Sequence, residues 1–257
     1  MYSSFNAKIA LTDIVWQEDK VASIVEGPYR HRVVVYCSSM GRQKAEFANG
    51  EFPYFAYIEN VNKKGEWVSR GNNIVPVLQD GRILMVVEQR PIVALFPGHP
   101  TKVEFQNGKT FDLGKFGSLE FPGGGVEPGE GLTMGGMREL SEEAGIEDQR
   151  ALVYTRAHPI YAFGSDIAGA NYYCVAYLTG VAFPDSVEDE GRVLNVFALS
   201  ENEVERNIRN GVIASGQAAL LSWPFYKEVV TARKYNNFLE ELVKTGYLKV
   251  EEVQIKR

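Results

Sequence analysis

Residues 119–146 read LEFPGGGVEPGEGLTMGGMRELSEEAGI, and this stretch carries the most structural information in the chain. A run rich in glycine and proline follows a strand-like segment and leads into a segment with helical patterning. In that segment Glu139, Glu142 and Glu143 stand at positions i, i+3 and i+4, so their carboxylates converge on one helix face. The spacing predicts a glycine-rich loop followed by an acidic helix.

The three acids of this helix admit two interpretations. Like charges crowded on one helix face are unfavourable unless a cation compensates them, and oxygen-only ligands suit the hard ions magnesium, manganese or calcium. Taken alone, such a cluster is more often a solvated acidic face, with Arg138 as an ordinary salt-bridge partner. The acids alone therefore favour a charged surface over a metal site.

The wider pattern reverses that preference. From Gly124 to Ile146 the sequence fits G-x5-E-x7-R-E-U-x-E-E-x-G-U, in which U is a bulky apolar residue. Seven positions are fixed, and at roughly 1 in 15 each a chance match arises about once in 10^8 starting points. Over these 23 residues the sequence resembles the signature of the Nudix hydrolase family.

The resemblance implies a metal site on this helix. It makes Glu139, Glu142 and Glu143 ligands of Mg2+, with Mn2+ as a possible substitute, and adds the backbone carbonyl of Gly123. Glu142 and Glu143 are also the expected catalytic acids. In this interpretation the helix holds the carboxylates rigidly, while the glycine loop lets backbone approach the ion and the phosphates.

Other positions of the signature are expected to support the ligands. Gly124 belongs to the loop, and Glu130 with Arg138 resembles the ion pair that orients the loop against the helix. Gly145 and Ile146 are expected to end the helix and to pack it beneath a sheet.

Residues 135 and 136 depart from the family pattern, because both are glycine where the family usually has good helix formers. Glycine costs roughly 1 kcal/mol against alanine inside a helix. Either the metal and tertiary packing hold this helix, or the two glycines permit the close approach of a neighbouring backbone.

Segments on both sides of the signature resemble the ADP-ribose pyrophosphatase branch of the family. Residues 87–91, VEQRP, and Glu120, two residues before a proline, match that branch's basic residue and E-x-P-x-G arrangement. Residues 158–166, HPIYAFGSD, match its proline and loop. The resemblance implies that Arg90, Glu120 and Asp166 bind substrate, with Arg90 well suited to phosphate oxygens.

An acidic stretch farther on supplies the expected catalytic base. Residues 187–200, VEDEGRVLNVFALS, resemble the branch's acidic loop followed by a strand. Glu190 is the first candidate for a base that assists the attacking water, and Glu188 is the second. An acidic surface turn explains residues 188–190 about equally well.

The resemblance also implies a fold and a reaction. The expected fold is α/β (α+β), an α/β/α sandwich around a mixed β-sheet with an N-terminal antiparallel β module. The expected reaction is metal-dependent hydrolysis of a nucleoside diphosphate linked to another moiety, foremost ADP-ribose to AMP and ribose 5-phosphate. Alternatives are another nucleotide sugar, NADH, a dinucleoside polyphosphate, an oxidised nucleoside triphosphate, or a non-catalytic ligand-sensing module.

Composition bounds the partners. The chain has 257 residues, and 27 lysines and arginines against 33 acids give a net charge of −6. This balance argues against broad capture of nucleic acid or an anionic membrane, so the expected partner is a small nucleotide. Cys37 and Cys174 suit buried free thiols, and the start lacks a secretory layout, so we expect a cytoplasmic protein. The resemblance adds an expected homodimer.

The periodicity and the resemblance together predict three regions. They are an N-terminal β-rich module over 1–72 that could mediate dimerisation, the Nudix hydrolase domain that the resemblance implies over 73–222, and a C-terminal helical extension over 223–257. Turn dipeptides predict hairpins at 49–50, 80–81 and 107–108. The last of these lies in an inserted hairpin between residues 90 and 120.

Two helices are predicted near the C-terminus. Ser200 and Glu203 form a capping-box pattern for a helix that Gly211 stops. An apolar stripe predicts core packing for a further helix from Pro224 to Gly246; its members are Phe225, Val229, Ala232, Tyr235, Phe238, Leu239 and Leu242.

Overall fold

A computed structural model describes residues 16–25, 30–38, 54–61, 70–146, 150–160, 167–168, 170–179, 193–213, 215 and 217–254. The chain divides into two units. The smaller comprises Met1–Ser69 with Phe163–Gly169, and the larger comprises Arg70–Ala162 with Ala170–Arg257. No helix among the described residues is long and apolar enough to cross a membrane.

The described strands are β1 (Trp16–Val25), β2 (Arg30–Ser38), β3 (Tyr54–Val61), β4 (Arg70–Val77), β5 (Ile83–Gln89), β6 (Lys102–Glu104), β7 (Thr110–Asp112), β8 (Gly117–Glu120), β9 (Gly123–Gly125), β10 (Arg150–Arg156), β11 (Ile167–Ala168), β12 (Ala170–Thr179), β13 (Val193–Leu199) and β14 (Leu248–Gln254). The described α-helices are α1 (Leu132–Ala144), α2 (Glu201–Arg209), α3 (Trp223–Lys234) and α4 (Asn236–Lys244).

The smaller unit contains one four-stranded sheet in the order β1-β2-β3-β11. Its first three strands pair antiparallel, and the short β11 pairs parallel with β3. The expected N-terminal antiparallel β module is therefore present. The predicted turn at residues 49–50 lies outside the described residues, as does the side chain of Cys37.

The larger unit is built on a mixed sheet in the order β13-β5-β4-β12-β10-β14, with β8 pairing β5 and β9 pairing β4. Strands β4 and β12 run parallel, whereas their other neighbours in this sheet are antiparallel. The near-continuous apolar runs of β4 and β5 are buried because helices cover both sheet faces. The expected α/β/α sandwich with a mixed sheet is confirmed.

Alternate residues of β4 and β5 separate the two layers of the core. Ile74 and Leu84 face α1 and pack with its Met137 and Leu140. Their neighbours along the strands, Val75 among them, face the other way and pack in the cluster that contains α3. The acidic helix α1 and helix α3 therefore lie on opposite faces of one sheet.

The predicted hairpins at 80–81 and 107–108 are both present. Strands β4 and β5 join through residues 78–82, with Gly81 at φ +81°. Strands β6 and β7 form the hairpin inserted between residues 90 and 120, with Gly108 at φ +79°. The buried side chain of Asn207 on α2 binds the backbone N–H and C=O of Glu104, both at 3.0 Å. This hairpin is therefore pinned to α2.

The C-terminal region departs from the prediction in two places. The capping box of Ser200 and Glu203 is present at α2, but the next helix breaks at Tyr235, whose backbone is extended at φ −122°. Tyr235 is 56% exposed and Phe238 37% exposed, so core packing was the wrong prediction for them. The stripe misled because a break of one residue barely disturbs helical periodicity.

The expectation of a helical extension is wrong for residues 248–254, which form β14 and pair with β10 from Arg150 to Arg156. The segment LKVEEVQ does not alternate strictly, and its partner strand lies about a hundred residues away in the sequence. Local periodicity carries little information about such pairing.

Candidate active site

The glycine loop lies against two neighbours at very short range. Strand β9 pairs with β4, so Gly124 stands opposite Asn72. A Cβ atom on Gly123 would lie 2.5 Å from the carbonyl oxygen of Asn72. A Cβ on Gly124 would lie 2.5 Å from Cδ of the Glu139 carboxylate. Gly123 is required because a side chain there would occupy space filled by the backbone of strand β4, whereas a side chain on Gly124 would displace the Glu139 carboxylate.

Helix α1 begins without a side-chain cap and receives an acid from a distant strand. Gly131 precedes the helix and offers no side chain for capping. The Thr133 hydroxyl in the first turn donates to Glu251 Oε2 on β14 at 2.5 Å. A carboxylate near a helix N-terminus is favourable because it compensates the partial positive charge there. The C-terminal strand thus helps to fix the start of the acidic helix.

The other end of α1 is as the signature implies. Gly145 adopts the left-handed conformation at φ +64°, and its N–H donates to the carbonyl of Ser141. Ile146 is 2% exposed and packs in the core layer between α1 and the sheet. These contacts match the expected structural roles of the two residues.

Arg138 connects the loop to the acids of the helix. Its Nε lies 3.2 Å from Glu130 Oε1, so the ion pair that the resemblance implies is present. Its Nη2 donates to the carbonyl oxygen of Gly125 at 2.6 Å. Its Nη1 contacts Glu139 Oε1 at 2.8 Å and Glu142 Oε2 at 3.0 Å. Although partial burial would lower the pKa of Arg138, the bonds to Glu130 and Glu139 raise it.

The acids of α1 differ in their surroundings. Glu139 is 12% exposed at its side chain, whereas that of Glu142 is 54% exposed. Burial raises the pKa of Glu139, and the neighbouring Glu142 adds to the shift against the opposing effect of Arg138. Burial and then repulsion from Glu88 raise the pKa of Glu143 to about 9. Burial therefore disfavours the charged form of two of the three carboxylates, and a bound cation would offset that effect.

Glu143 accepts a hydrogen bond from the glycine loop and lies near a second group of charges, on β5 and beside it. The N–H of Gly123 donates to Glu143 Oε2 at 2.9 Å. Glu88 of β5 is 3% exposed, and its Oε2 contacts Arg90 Nη2 at 2.8 Å. Arg90 Nε also contacts Glu120 Oε1 at 3.1 Å. The structure thus brings Arg90 and Glu120 together, beside the repelling pair of Glu88 and Glu143.

Sequence reasoning missed Glu88 as a site residue. An acid at the end of a buried apolar strand was the available signal, because such an acid needs a partner. Arg90, just past the end of β5, supplies that partner.

Sequence reasoning also missed Asn72, which is 1% exposed inside the layer between α1 and the sheet. Only its polarity within the apolar strand β4 could have marked it.

A metal ion has suitable donors here, although they are not gathered into a cluster. Within residues 70–146 and the rest of the described chain, no three His, Cys, Asp or Glu side chains are grouped to hold a metal. Glu139 and Glu142 instead share Arg138, and Gly123 directs its N–H toward Glu143. The donor set is all oxygen, and burial raises the pKa of Glu139 and of Glu143, so a further cation would stabilise their charged forms. Both features fit a hard divalent cation.

Three of the remaining predicted residues, Asp166, Glu188 and Glu190, lie outside the described residues. Cys174 is a buried free thiol on β12, as expected, and burial raises its pKa to about 11. A thiol so protonated is a packing and hydrogen-bonding group and not a nucleophile.

Comparisons with known proteins agree with this architecture. The family model of the NUDIX domain matches residues 73–215, more than half of the chain. Among solved structures, 156 chains match significantly. One of them, the crystal structure of an ADP compounds hydrolase, superposes with a TM-score of 0.53 and 16% sequence identity, covering 88% of this chain and 98% of that chain. At this identity the similarity shows the fold alone. No curated protein sequence matches significantly.

Proposed function

The chain belongs to the Nudix family of hydrolases, and on that premise we propose that it hydrolyses a nucleoside diphosphate linked to another moiety in a reaction that requires Mg2+. The observation that carries the proposal is the packing of Glu139 and Glu143 against the loop Gly123–Gly125, with raised pKa values in both acids. Carboxylates whose charged form is disfavoured by burial, packed against a glycine loop, suit a cation and a phosphate chain.

The residues that would hold the metal are Glu139, Glu142, Glu143 and the carbonyl of Gly123. A bound divalent ion would orient water for attack on phosphorus and neutralise the charge that develops on the diphosphate. The chain itself positions the acids, since Arg138 binds Glu139 and Glu142 and ties both to the loop through Gly125. Gly124 leaves the space that the Glu139 carboxylate occupies, and Glu130 accepts a hydrogen bond from Arg138.

Arg90 and Glu120 are the proposed substrate contacts among the described residues. The Arg90 side chain is 40% exposed while its guanidinium is bound to two carboxylates, so part of it remains accessible to a phosphate. Asp166 is proposed as a further contact. Glu190, with Glu188 as the alternative, is proposed as the base that takes the proton of the attacking water.

ADP-ribose is the proposed substrate, with AMP and ribose 5-phosphate as products. Residues 87–91 and 158–166 support this choice by their resemblance to the ADP-ribose pyrophosphatase branch. The similar solved structure is that of an ADP compounds hydrolase, which agrees with a substrate of this class.

The test is a substrate panel with defined variants. The purified protein is incubated with Mg2+ and ADP-ribose, other nucleotide sugars, NADH, dinucleoside polyphosphates or nucleoside triphosphates, and the products are separated by chromatography. We expect AMP from ADP-ribose, and no AMP after chelation of the metal. Pyrophosphate released from a triphosphate would instead place the chain with the oxidised-nucleotide hydrolases of the family.

Matched variants connect turnover to the acids. Glu142→Gln and Glu143→Gln should each lower kcat by at least about 100-fold, because each removes a metal-ligand charge. Glu240→Gln on the exposed face of α4 removes the same charge far from the site and should leave kcat unchanged. Full turnover in the first two variants would refute the site. Ligand binding without turnover in the wild-type protein would favour a sensing module.

Two further properties are proposed, a homodimer from the family resemblance and a cytoplasmic location from the cysteine content. A homodimer in which the N-terminal module contributes to the interface is expected, and sedimentation at micromolar concentration tests it. A cytoplasmic location is expected from the composition, and fractionation of cells that express the protein tests it.

A further inference from the structure

Asn72 is a buried polar side chain in an otherwise apolar layer. Ile74, Leu84, Met137 and Leu140 are fully or almost fully buried between α1 and the sheet. Asn72 is 1% exposed in the same layer. A buried amide is costly unless its hydrogen bonds are made, so its partners fix where it can sit.

Both ends of the Asn72 amide have partners. Its Nδ2 donates to the carbonyl oxygen of Leu132, the first residue of α1, at 2.5 Å. Its Oδ1 accepts from the Cys174 thiol on β12 at 3.3 Å. That sulfur also lies 3.3 Å from the hydroxyl of Thr155, which in turn lies 3.1 Å from the hydroxyl of Thr133 on α1. These polar contacts connect the sheet to the first turn of the acidic helix.

The same amide accounts for one of the two unusual glycines. A Cβ on Gly136 would lie 2.9 Å from Asn72 Nδ2 and 3.3 Å from its Cγ. Alanine at this position would therefore push the helix away from strand β4 or rotate it. The close neighbour is a side chain, so of the two explanations for the glycines, tertiary packing applies at position 136 and the approach of a neighbouring backbone does not. Gly135 serves a different contact, since its Cβ would lie 3.0 Å from Glu130 Oε2.

The backbone of Asn72 holds the other half of the site. Residue 72 pairs with Gly124 across strands β4 and β9, and its carbonyl would lie 2.5 Å from a Cβ on Gly123. One residue therefore touches the glycine loop through its backbone and the acidic helix through its side chain. Apolar packing is non-directional and allows α1 to slide or rotate, whereas a hydrogen bond and a close steric stop do not.

We propose that Asn72 is a positioning residue that sets the height and rotation of α1 over the glycine loop through its contacts with Leu132 and Gly136, and thereby places Glu139 and Glu143 for metal binding. This inference rests on the proposed function, because the acids are its end point. It also gives a reason for glycine at position 136, a departure from the family pattern.

The test is a double-mutant cycle on the full chain with Gly136→Ala, Asn72→Ser and the two together. The primary measurement is the affinity for Mn2+ alone by titration calorimetry. In the presence of Asn72, Gly136→Ala should weaken Mn2+ binding by about tenfold, the scale for groups that orient metal ligands. In the Asn72→Ser background, which opens space, the same substitution should cost less than about twofold.

Turnover and stability give two further readouts. With ADP-ribose, Gly136→Ala should lower kcat while KM stays within about twofold, because the acids and not the substrate contacts move. Val229→Ala is the matched control, since it removes buried packing on α3, on the opposite face of the sheet, without touching α1 or Asn72. It should lower the thermal midpoint and leave Mn2+ affinity unchanged.

Three outcomes would overturn the positioning role alone. Unchanged Mn2+ affinity in Gly136→Ala would show that the contact does not position the acids. Effects of the two substitutions that multiply in the double variant would show that they act independently. A loss of Mn2+ affinity in Val229→Ala equal to that in Gly136→Ala would indicate general loosening of the core. A wild-type protein that binds no Mn2+ would refute the proposed function, and the positioning role with it.

Discussion

Arg138→Ala offers a quantitative test of the charge network around the acidic helix. The side chain of Arg138 contacts Glu130, Glu139, Glu142 and the carbonyl of Gly125. Its removal leaves Glu130 at 17% exposure and Glu139 at 12% exposure without their cation. The substitution therefore breaks largely buried ion pairs rather than solvated ones.

The magnitude follows from those exposures. Removal of one partner from a buried ion pair costs about 3–5 kcal/mol, because a charge is left buried and uncompensated. The pair with Glu142 is 54% exposed on the acid side and adds only about 0–1 kcal/mol. Arg138 itself is 26% exposed, so we take the lower end, about 3 kcal/mol. At about 2–4 °C per kcal/mol for a chain of this size, the thermal midpoint should fall by about 6–12 °C.

The assay is urea unfolding in the presence of a chelator, which keeps a metal from replacing the lost cation. Arg209→Ala is the control, because Arg209 is 75% exposed and pairs with Glu205 on the surface of α2. That variant should lose less than about 1 kcal/mol. If Arg138→Ala lost no more than Arg209→Ala, the network would be a solvated surface and the magnitude inferred from its burial would be wrong.

Three further predictions concern the loop, the pH dependence and the inserted hairpin. Gly124→Ala should lower kcat/KM by about 100-fold with little loss of stability, because the added methyl displaces only the flexible end of Glu139. Gly131→Ala is the control and should keep kcat/KM, because a methyl there meets nothing within 4 Å. Equal losses of kcat/KM in both variants would contradict the prediction. Because the folded pKa of Glu143 is about 9 against an ordinary value of 4.5, the folded metal-free protein holds an extra proton between these values, so its stability should fall as pH rises through that window. Glu143→Gln should remove that slope in unfolding measured from pH 5 to pH 8, and a pH-independent difference from wild type would refute the shift. Asn207→Ala should lower the free energy of unfolding by about 2–3 kcal/mol and speed hydrogen exchange in residues 102–112, since it removes the two hydrogen bonds of Asn207 to Glu104. Unchanged exchange would show that other contacts hold the hairpin.

The signature positions were predictable because they depend on neighbours in the sequence. Glu130 and Arg138 are eight residues apart, and the loop and helix between them bring the two side chains together. Gly145 ends the helix through its own backbone conformation. The capping box at Ser200 is equally local. In each case the geometry follows from spacing along one or two elements.

The contacts that complete the site could not be predicted in this way. Glu88 on strand β5 repels Glu143 on helix α1. Glu251 on strand β14 contacts the start of α1, although it lies more than a hundred residues later in the sequence. Strand β14 could not be predicted because its partner β10 is also far away in the sequence. The division between α3 and α4 could not be predicted because the break at Tyr235 spans one residue. These features depend on which segments meet in space, and no local period encodes that.

The sequence by itself determined the family, the loop, the acidic helix and the pairing of Glu130 with Arg138, because those features are written at fixed short spacings. Only the tertiary structure decided how the helix is held. The sheet places Asn72 beneath Gly136, and this burial gives the amide hydrogen bonds that it must make. An acid or an amide in a sequence has an ordinary chemistry, and its pKa, partners and role are set by the neighbours that folding brings to it.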